Sequence, residues 1–130
     1  MIVLDTHIWL WWVHDPSKLT SSQQETISAH ETKLIGVSAI SLWEVAKLVE
    51  RKRITLPLPI LEWFEQALSY PGVQVLEITP EIAVASTQLR GDFHRDPADQ
   101  IIVATARVND CLLVTSDGKI LDYPHVRKVV

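Results

Sequence analysis

Cysteine and glycine are scarce in this sequence, and each scarcity excludes a class of site. Cys111 is the one cysteine among 130 residues, so no internal disulfide can form. A reducing compartment is then expected, with Cys111 as a small buried core residue. Glycine occurs four times and never in a cluster, which excludes the glycine-rich loops that cradle nucleotide phosphates. No histidines and cysteines show the spacing of zinc ligands.

Excess positive charge and membrane-length apolar runs are also missing. The formal net charge is −4, which argues against a protein that binds nucleic acid by its overall charge. This net charge does not exclude a local basic strip beside an acidic metal site. The apolar N-terminal segment MIVLDTHIWLWWV lacks a basic flank, is interrupted by Asp5 and His7, and is too short to span a bilayer. We therefore expect a core segment and a cytoplasmic protein.

Short apolar runs alternate with helical patterns along the whole chain. With 47% hydrophobic residues, residues 1–130 are expected to form one packed domain. The pattern predicts an α/β fold with a mainly parallel central sheet and helices on both faces. The predicted strands are 2–5, 34–40, 73–78, 111–117 and 126–130, and the predicted helices are 7–13, 21–30, 41–53, 59–68, 81–90 and 97–109.

Acidic residues occur where the predicted strands end or the following helices begin. Asp5 follows the first strand, and Asp117 follows the strand CLLVT. Glu44 and Asp99 lie in the first turns of two predicted helices. Ligands of such sheets bind beyond the carboxyl ends of the strands, so all of these acids are expected at one edge.

Each acid also has a purely structural explanation. Ser41 to Glu44 fits a capping box, and Asp96 fits a helix cap followed by proline, with Asp99 favoured by the helix dipole. Asp5 and Asp117 fit turn positions. These separate explanations do not account for the gathering of the acids at one rim, and that gathering favours a functional site.

Clustered carboxylates repel one another unless they bind protons or cations. Mg²⁺ and Mn²⁺ prefer carboxylate and water oxygens as ligands. Ions of this kind promote hydrolysis of phosphodiesters, often as a pair about 3.5–4 Å apart. The sequence therefore predicts a metal-dependent hydrolase of a phosphodiester.

Taken in order, MIVLDTHIWLWW, VSAISLWEVAKL, HRDPADQIIVATA and LLVTSD resemble the PIN (PilT N-terminus) domain, and specifically the toxin ribonucleases of VapBC toxin–antitoxin pairs. The resemblance spans nearly the whole chain. It implies a PIN-like α/β/α fold and an endoribonuclease that depends on Mg²⁺ or Mn²⁺. It also implies a homodimer and a VapB-like antitoxin that blocks the site.

The resemblance assigns roles to particular residues. The catalytic, metal-binding acids of the family match Asp5, Glu44, Asp99 and Asp117. Asp96 matches an additional acid, for which a helix cap remains the alternative. Thr6 and Thr115 match hydroxyl positions that orient water or a carboxylate, with ordinary hydrogen bonding at strand ends as the alternative.

Basic residues near the acids are candidates for binding RNA phosphates. Lys47 and Arg51 share a helix face with Glu44, and the alternative is that these cations pair with Glu44 within the helix. His94 and Arg95 precede the predicted cap Asp96 and are placed to neutralise a phosphate, with loop exposure as the alternative.

Tryptophan is abundant, with five residues in the chain. Trp9 and Trp12 share a helix face, which leaves Trp11 without a place on that buried face. Core packing accounts for most of these rings. An exposed ring is interpreted as a contact to a second copy or to the antitoxin, in preference to a platform for RNA bases.

Other functions remain as alternatives. A phosphatase of the haloacid-dehalogenase type also has an aspartate after its first strand, but it needs a second acid where this chain has His7. A receiver-like signalling module needs an aspartate after a middle strand and a lysine after a late one. A catalytically silent interaction domain does not explain the complete set of acids.

Overall fold

The computed structural model of the protein describes residues 1–130. The strands are β1 (Ile2–Leu4), β2 (Ile35–Ser38), β3 (Val73–Leu76), β4 (Leu112–Val114) and β5 (Lys128–Val129). The helices are α1 (Thr6–His14), α2 (Ser21–His30), α3 (Ala39–Glu50), α4 (Ile60–Ala67), α5 (Pro80–Ser86), α6 (Pro97–Val108) and α7 (Gly118–Leu121), with a 3-10 turn at Pro16–Lys18. Strands thus alternate with helices, as the sequence pattern predicts.

All five strands pair in parallel, in the order β3-β2-β1-β4-β5. The chain builds outward from β1 to β2 and β3 on one side, and returns to the other side with β4 and β5. The topological switch point therefore lies between β1 and β4. In open parallel sheets this is where a crevice forms beyond the carboxyl ends of the strands.

The core lies on both faces of the sheet, which explains why the central strands are apolar without alternation. From β1, Ile2 and Leu4 pack on one face with Ile8 and Trp9 of α1. Val3 points to the other face, where it joins a second cluster that includes Ile102 of α6. Full burial of each such aliphatic side chain contributes about 1.5–3 kcal/mol. The predicted α/β fold with helices on both faces is confirmed.

The N-terminal apolar segment is part of the core, as predicted. It forms β1 and α1, and its residues from Ile2 to Leu4 are completely buried. Cys111, also predicted to be buried, is 8% exposed. None of the helices is both long enough and apolar enough to cross a membrane.

Several predicted boundaries are wrong by a few residues. The strand predicted over 34–40 ends at Ser38, whose side chain accepts a hydrogen bond from the Ile40 N–H and so starts α3 early. The helices predicted to Arg53 and Arg90 end at Glu50 and Ser86. The helix α7 was not predicted, because four residues are too few to show a helical period.

Candidate metal-binding site

Asp5 lies directly after β1 at the switch point, and its carboxylate is held on both sides. The Thr6 N–H donates to Oδ1 at 2.8 Å, so Asp5 caps α1. The Thr115 hydroxyl donates to Oδ2 at 2.8 Å from the end of β4. The residue is 3% exposed. Asp5 therefore lies at the predicted sheet edge, and it also caps α1, a role that was not predicted for it.

Glu44 reaches the same edge from α3, but the capping box predicted for Ser41 and Glu44 is wrong. Because Ser38 starts the helix, Glu44 lies in its second turn, where no free backbone N–H is within its reach. Its carboxylate accepts instead from the Thr6 hydroxyl at 2.5 Å. The buried Ser41 hydroxyl lies 2.8 Å from Thr6 Oγ1, and it donates there because Thr6 gives its own proton to Glu44.

Asp117 extends this series on the far side of Asp5. Its backbone N–H donates to Thr115 Oγ1 at 3.1 Å. Its carboxylate accepts from the Lys119 and Ile120 N–H groups and so caps α7. Thr6 and Thr115 thus join Glu44, Asp5 and Asp117 into one continuous network, which we call the threonine bridge.

Asp99 approaches the bridge from the first turn of α6. Its N–H donates to Asp96 Oδ1 at 3.0 Å, which confirms Asp96 as the cap of that helix. The side chain of Asp99 lies 3.1 Å from His94 Nε2, although the ring N–H is not aligned for a hydrogen bond. His94 Nδ1 accepts from the Asp96 N–H at 3.3 Å, which leaves the ring proton on Nε2, facing Asp99.

The carboxylates perturb one another. The pKa of Asp99 is raised from 3.8 to about 7, first by burial and then by the negative charges of its neighbours, which are Asp5, Asp96, Asp117 and Glu44. Burial also raises the pKa of Asp5; the nearby His7 and two hydrogen bonds offset part of this shift, and the charge of Asp117 adds a smaller increase. The pKa of Glu44 is raised by burial, partly offset by its hydrogen bond from Thr6, and is raised further by Asp5. The sheet edge is therefore a place where positive charge is stabilised.

A hard divalent cation suits this set of side chains. The available donors are carboxylate oxygens, the type that Mg²⁺ and Mn²⁺ prefer. No three acidic, histidine or cysteine side chains converge closely enough to surround an ion by themselves. The acids are spaced by hydroxyl groups, and burial, together with the charges of the neighbouring acids, disfavours the ionised carboxylates that a cation would stabilise.

Four polar residues near the acids were given no part in the site by sequence reasoning. Ser41 supports Thr6, and the buried Gln23 of α2 donates from Nε2 to the Thr115 carbonyl oxygen and to Ser116 Oγ. The Ser116 N–H donates to His7 Nε2 at 3.0 Å, which leaves Nδ1 protonated and 3.6 Å from Asp5 Oδ2. Sequence spacing carries no signal for contacts this distant along the chain.

The predicted basic residues have different positions relative to the acids. Lys47 and Arg51 line a groove of about 610 Å³ that also contains Glu44 and Asp96. Lys47 pairs with Glu50 at 2.9 Å, so the alternative of pairing with Glu44 is wrong. Arg95 is exposed in the loop before α6 and does not line the groove.

The tryptophans also differ from expectation. Trp11, which was not predicted to lie on the buried face of its helix, is partly buried against the core. Its ring contacts His7 edge to face, with ring centroids 5.0 Å apart. Trp43 is instead the exposed one, at 54%. Its indole lies beside Glu44 in the wall of the groove.

Comparison with known proteins places this geometry in a family. Residues 2–126 match the PIN domain. The chain belongs to the PIN domain family, as its sequence motifs predicted, and the haloacid-dehalogenase and receiver-like alternatives are set aside. Within that family it is similar to Ribonuclease VapC22 of Mycobacterium tuberculosis, with 37% identity over 128 residues, which cover 98% of this chain and 95% of the relative.

Solved structures of toxin–antitoxin proteins share the fold. VapBC2 from Rickettsia felis, bound to a DNA fragment from its promoter, superposes with a TM-score of 0.72 at 17% identity, covering 98% of this chain and 97% of that one. DNA-bound VapBC from Salmonella typhimurium gives a TM-score of 0.71 at 21% identity, covering 98% and 95%. At these identities the likeness establishes the fold.

The raised pKa of Asp99 predicts how the metal-free protein responds to pH. Between about pH 4 and 7 the folded protein keeps a proton that the unfolded chain releases, so the free energy of unfolding falls as pH rises through that window. The variant Asp99→Asn has no carboxyl group to titrate at this position, so its free energy of unfolding does not fall for this reason as pH rises. In EDTA, the melting temperature of the variant relative to wild type should increase from about pH 5 to about pH 8.

The exposed Asp122 provides the matched control, because Asp122→Asn also removes one carboxylate but lies outside the acidic set. A difference between Asp99→Asn and wild type that stays constant with pH would contradict the raised pKa of Asp99.

Proposed function

We propose that the protein is a metal-dependent endoribonuclease that acts as the toxin of a toxin–antitoxin pair. The observation that carries the proposal is the threonine bridge at the switch point, which gathers Asp5, Glu44 and Asp117 beside Asp99. The similarity to Ribonuclease VapC22 supports RNA as the substrate. Asp5, Glu44, Asp99 and Asp117 would hold Mg²⁺ or Mn²⁺, and Asp96 would cap α6 and add negative charge beside them.

The chain's own residues prepare the site for this chemistry. When bound, a divalent cation supplies positive charge that polarises the phosphodiester and eases deprotonation of water. Thr6 and Thr115 fix the rotamers of Glu44 and Asp5, so these carboxylates do not reorganise when a cation arrives. Without a cation the pKa of Asp99 is raised to about 7, so binding of a cation to this carboxylate near neutral pH would displace a proton from it.

We propose in addition that the protein forms a homodimer and binds a VapB-like antitoxin in the cytoplasm. The solved relatives described as VapBC complexes support the antitoxin partner. Light scattering over a concentration series should give about twice the 14.7 kDa mass of one chain. A mass equal to one chain at every concentration would contradict the dimer.

Asp5→Asn and Glu44→Gln should each reduce RNA cleavage by roughly 100-fold or more, since even residues that only orient metal ligands contribute about 10- to 100-fold. Both amides keep the size of the carboxylate and remove its charge. The assay follows defined fragments of assorted RNAs in Mg²⁺ or Mn²⁺, with EDTA as the blank. The melting temperature of Glu44→Gln in EDTA should not fall, because the variant removes one repelling charge and keeps an oxygen that accepts from Thr6. Asp5→Asn leaves one of its two hydrogen-bond donors without an acceptor, so circular dichroism must show that this variant is folded.

Glu65→Gln, at an exposed position of α4, is the matched control and should cleave RNA like wild type. If Asp5→Asn and Glu44→Gln also cleave like wild type, the carboxylates do not hold the catalytic metal and the proposed function is wrong.

A further inference from the structure

The groove between α3 and the start of α6 contains aromatic and basic side chains in addition to the acids of the candidate metal site. One wall is formed by Trp43, Lys47 and Arg51, and the other by Asp96, Pro97 and Ala98. Glu44 marks the acidic end, and Arg53 adds a further cation. The groove therefore runs from the carboxylates toward a basic region, in a protein whose net charge is −4.

Trp43, Lys47 and Arg51 form a row along α3 because they are spaced by four residues. Successive members of such a row are about 6 Å apart along the helix axis. The Lys47 ammonium lies 5.8 Å from the centroid of the Trp43 ring, and the ring itself is 54% exposed. Arg51 and Arg53 form no ion pair with any acid, so their charges are free for a ligand.

We propose that this row is a binding track for single-stranded RNA, in which Trp43 stacks on a base next to the scissile phosphodiester and Lys47, Arg51 and Arg53 contact the following phosphates. The inference rests on the proposed ribonuclease function and names the residues that hold the strand. It also replaces the interpretation of an exposed indole as a contact to another protein.

The chemistry of the row favours RNA over a protein partner. An exposed indole offers one π-face, and a base stacks on such a face whatever its sequence. The neighbouring cations match the charge that recurs along a nucleic-acid strand. Apolar side chains also line the groove, among them Ile40 and Leu48. The side chains that follow Trp43 along its row, however, are the cations Lys47 and Arg51, which suit a strand of phosphates better than an apolar protein surface.

The test measures binding apart from cleavage. Fluorescence anisotropy of a labelled single-stranded RNA is recorded with Ca²⁺ in place of Mg²⁺ or Mn²⁺, and gels confirm that the strand stays intact. Trp43→Ala should weaken binding by roughly 5- to 100-fold, and Trp43→Phe should restore most of it. Arg51→Gln should lower the slope of log K against log salt by about 0.7, while Trp43→Ala leaves that slope unchanged.

Matched controls lie outside the groove. Leu61→Ala removes another exposed apolar side chain, at 79% exposure, and Lys33→Gln removes another exposed cation. Both should bind RNA like wild type. If Trp43→Ala and Arg51→Gln also bind like wild type, or if wild type binds no single-stranded RNA, the proposal is wrong. Normal RNA binding with a lower mass in light scattering would make the groove an interface between two copies and would equally overturn it.

The two proposals can fail separately. Weaker RNA binding by the groove variants, with no cleavage by wild type in Mg²⁺ or Mn²⁺, would remove the nuclease function and leave the RNA track in place. Cleavage by wild type with unchanged binding by the groove variants would remove the track and leave the nuclease.

Discussion

Repulsion among carboxylates at one edge of the sheet is the constraint on which the rest of the site depends. Burial, together with the charges of four neighbouring acids, raises the pKa of Asp99 to about 7. Such a cluster is costly in an empty site, because each charge disfavours ionisation of the next. The threonine bridge offsets part of this cost by giving Asp5 and Glu44 hydroxyl donors. What remains is a site that a divalent cation would stabilise.

The topology makes this arrangement possible with few residues. The switch point between β1 and β4 brings Asp5 within 2.8 Å of Thr115, although 110 positions separate them in the chain. Apolar clusters on both faces hold these strands in register, so core packing and site geometry are linked. Changes that loosen β1 or β4 are therefore expected to disturb the acids as well as stability.

The sequence predicted the fold and the acids at its edge because both follow from local patterns: apolar strands, helix caps and acids directly after them. The sequence-based prediction was wrong where contacts between distant parts of the chain determine the position of a side chain. The spacing of Ser41 and Glu44 fits a capping box, but Ser38 caps the helix instead, so α3 begins earlier than predicted. The side chains of Ser41 and Glu44 then both contact Thr6. The exposure of Trp43, with Trp11 packed instead, depends on what α1 and α3 meet in three dimensions.

The central claim is that the carboxylates gather in order to hold a divalent cation, and it is tested most directly by seeing where such an ion binds. Crystals grown with Mn²⁺ and measured at an X-ray wavelength where manganese scatters anomalously would locate it. We expect an anomalous peak within coordination distance of Asp5 and of at least one other member of the acidic set (Glu44, Asp99 and Asp117). A well-ordered site without any peak, or a peak elsewhere only, would contradict it.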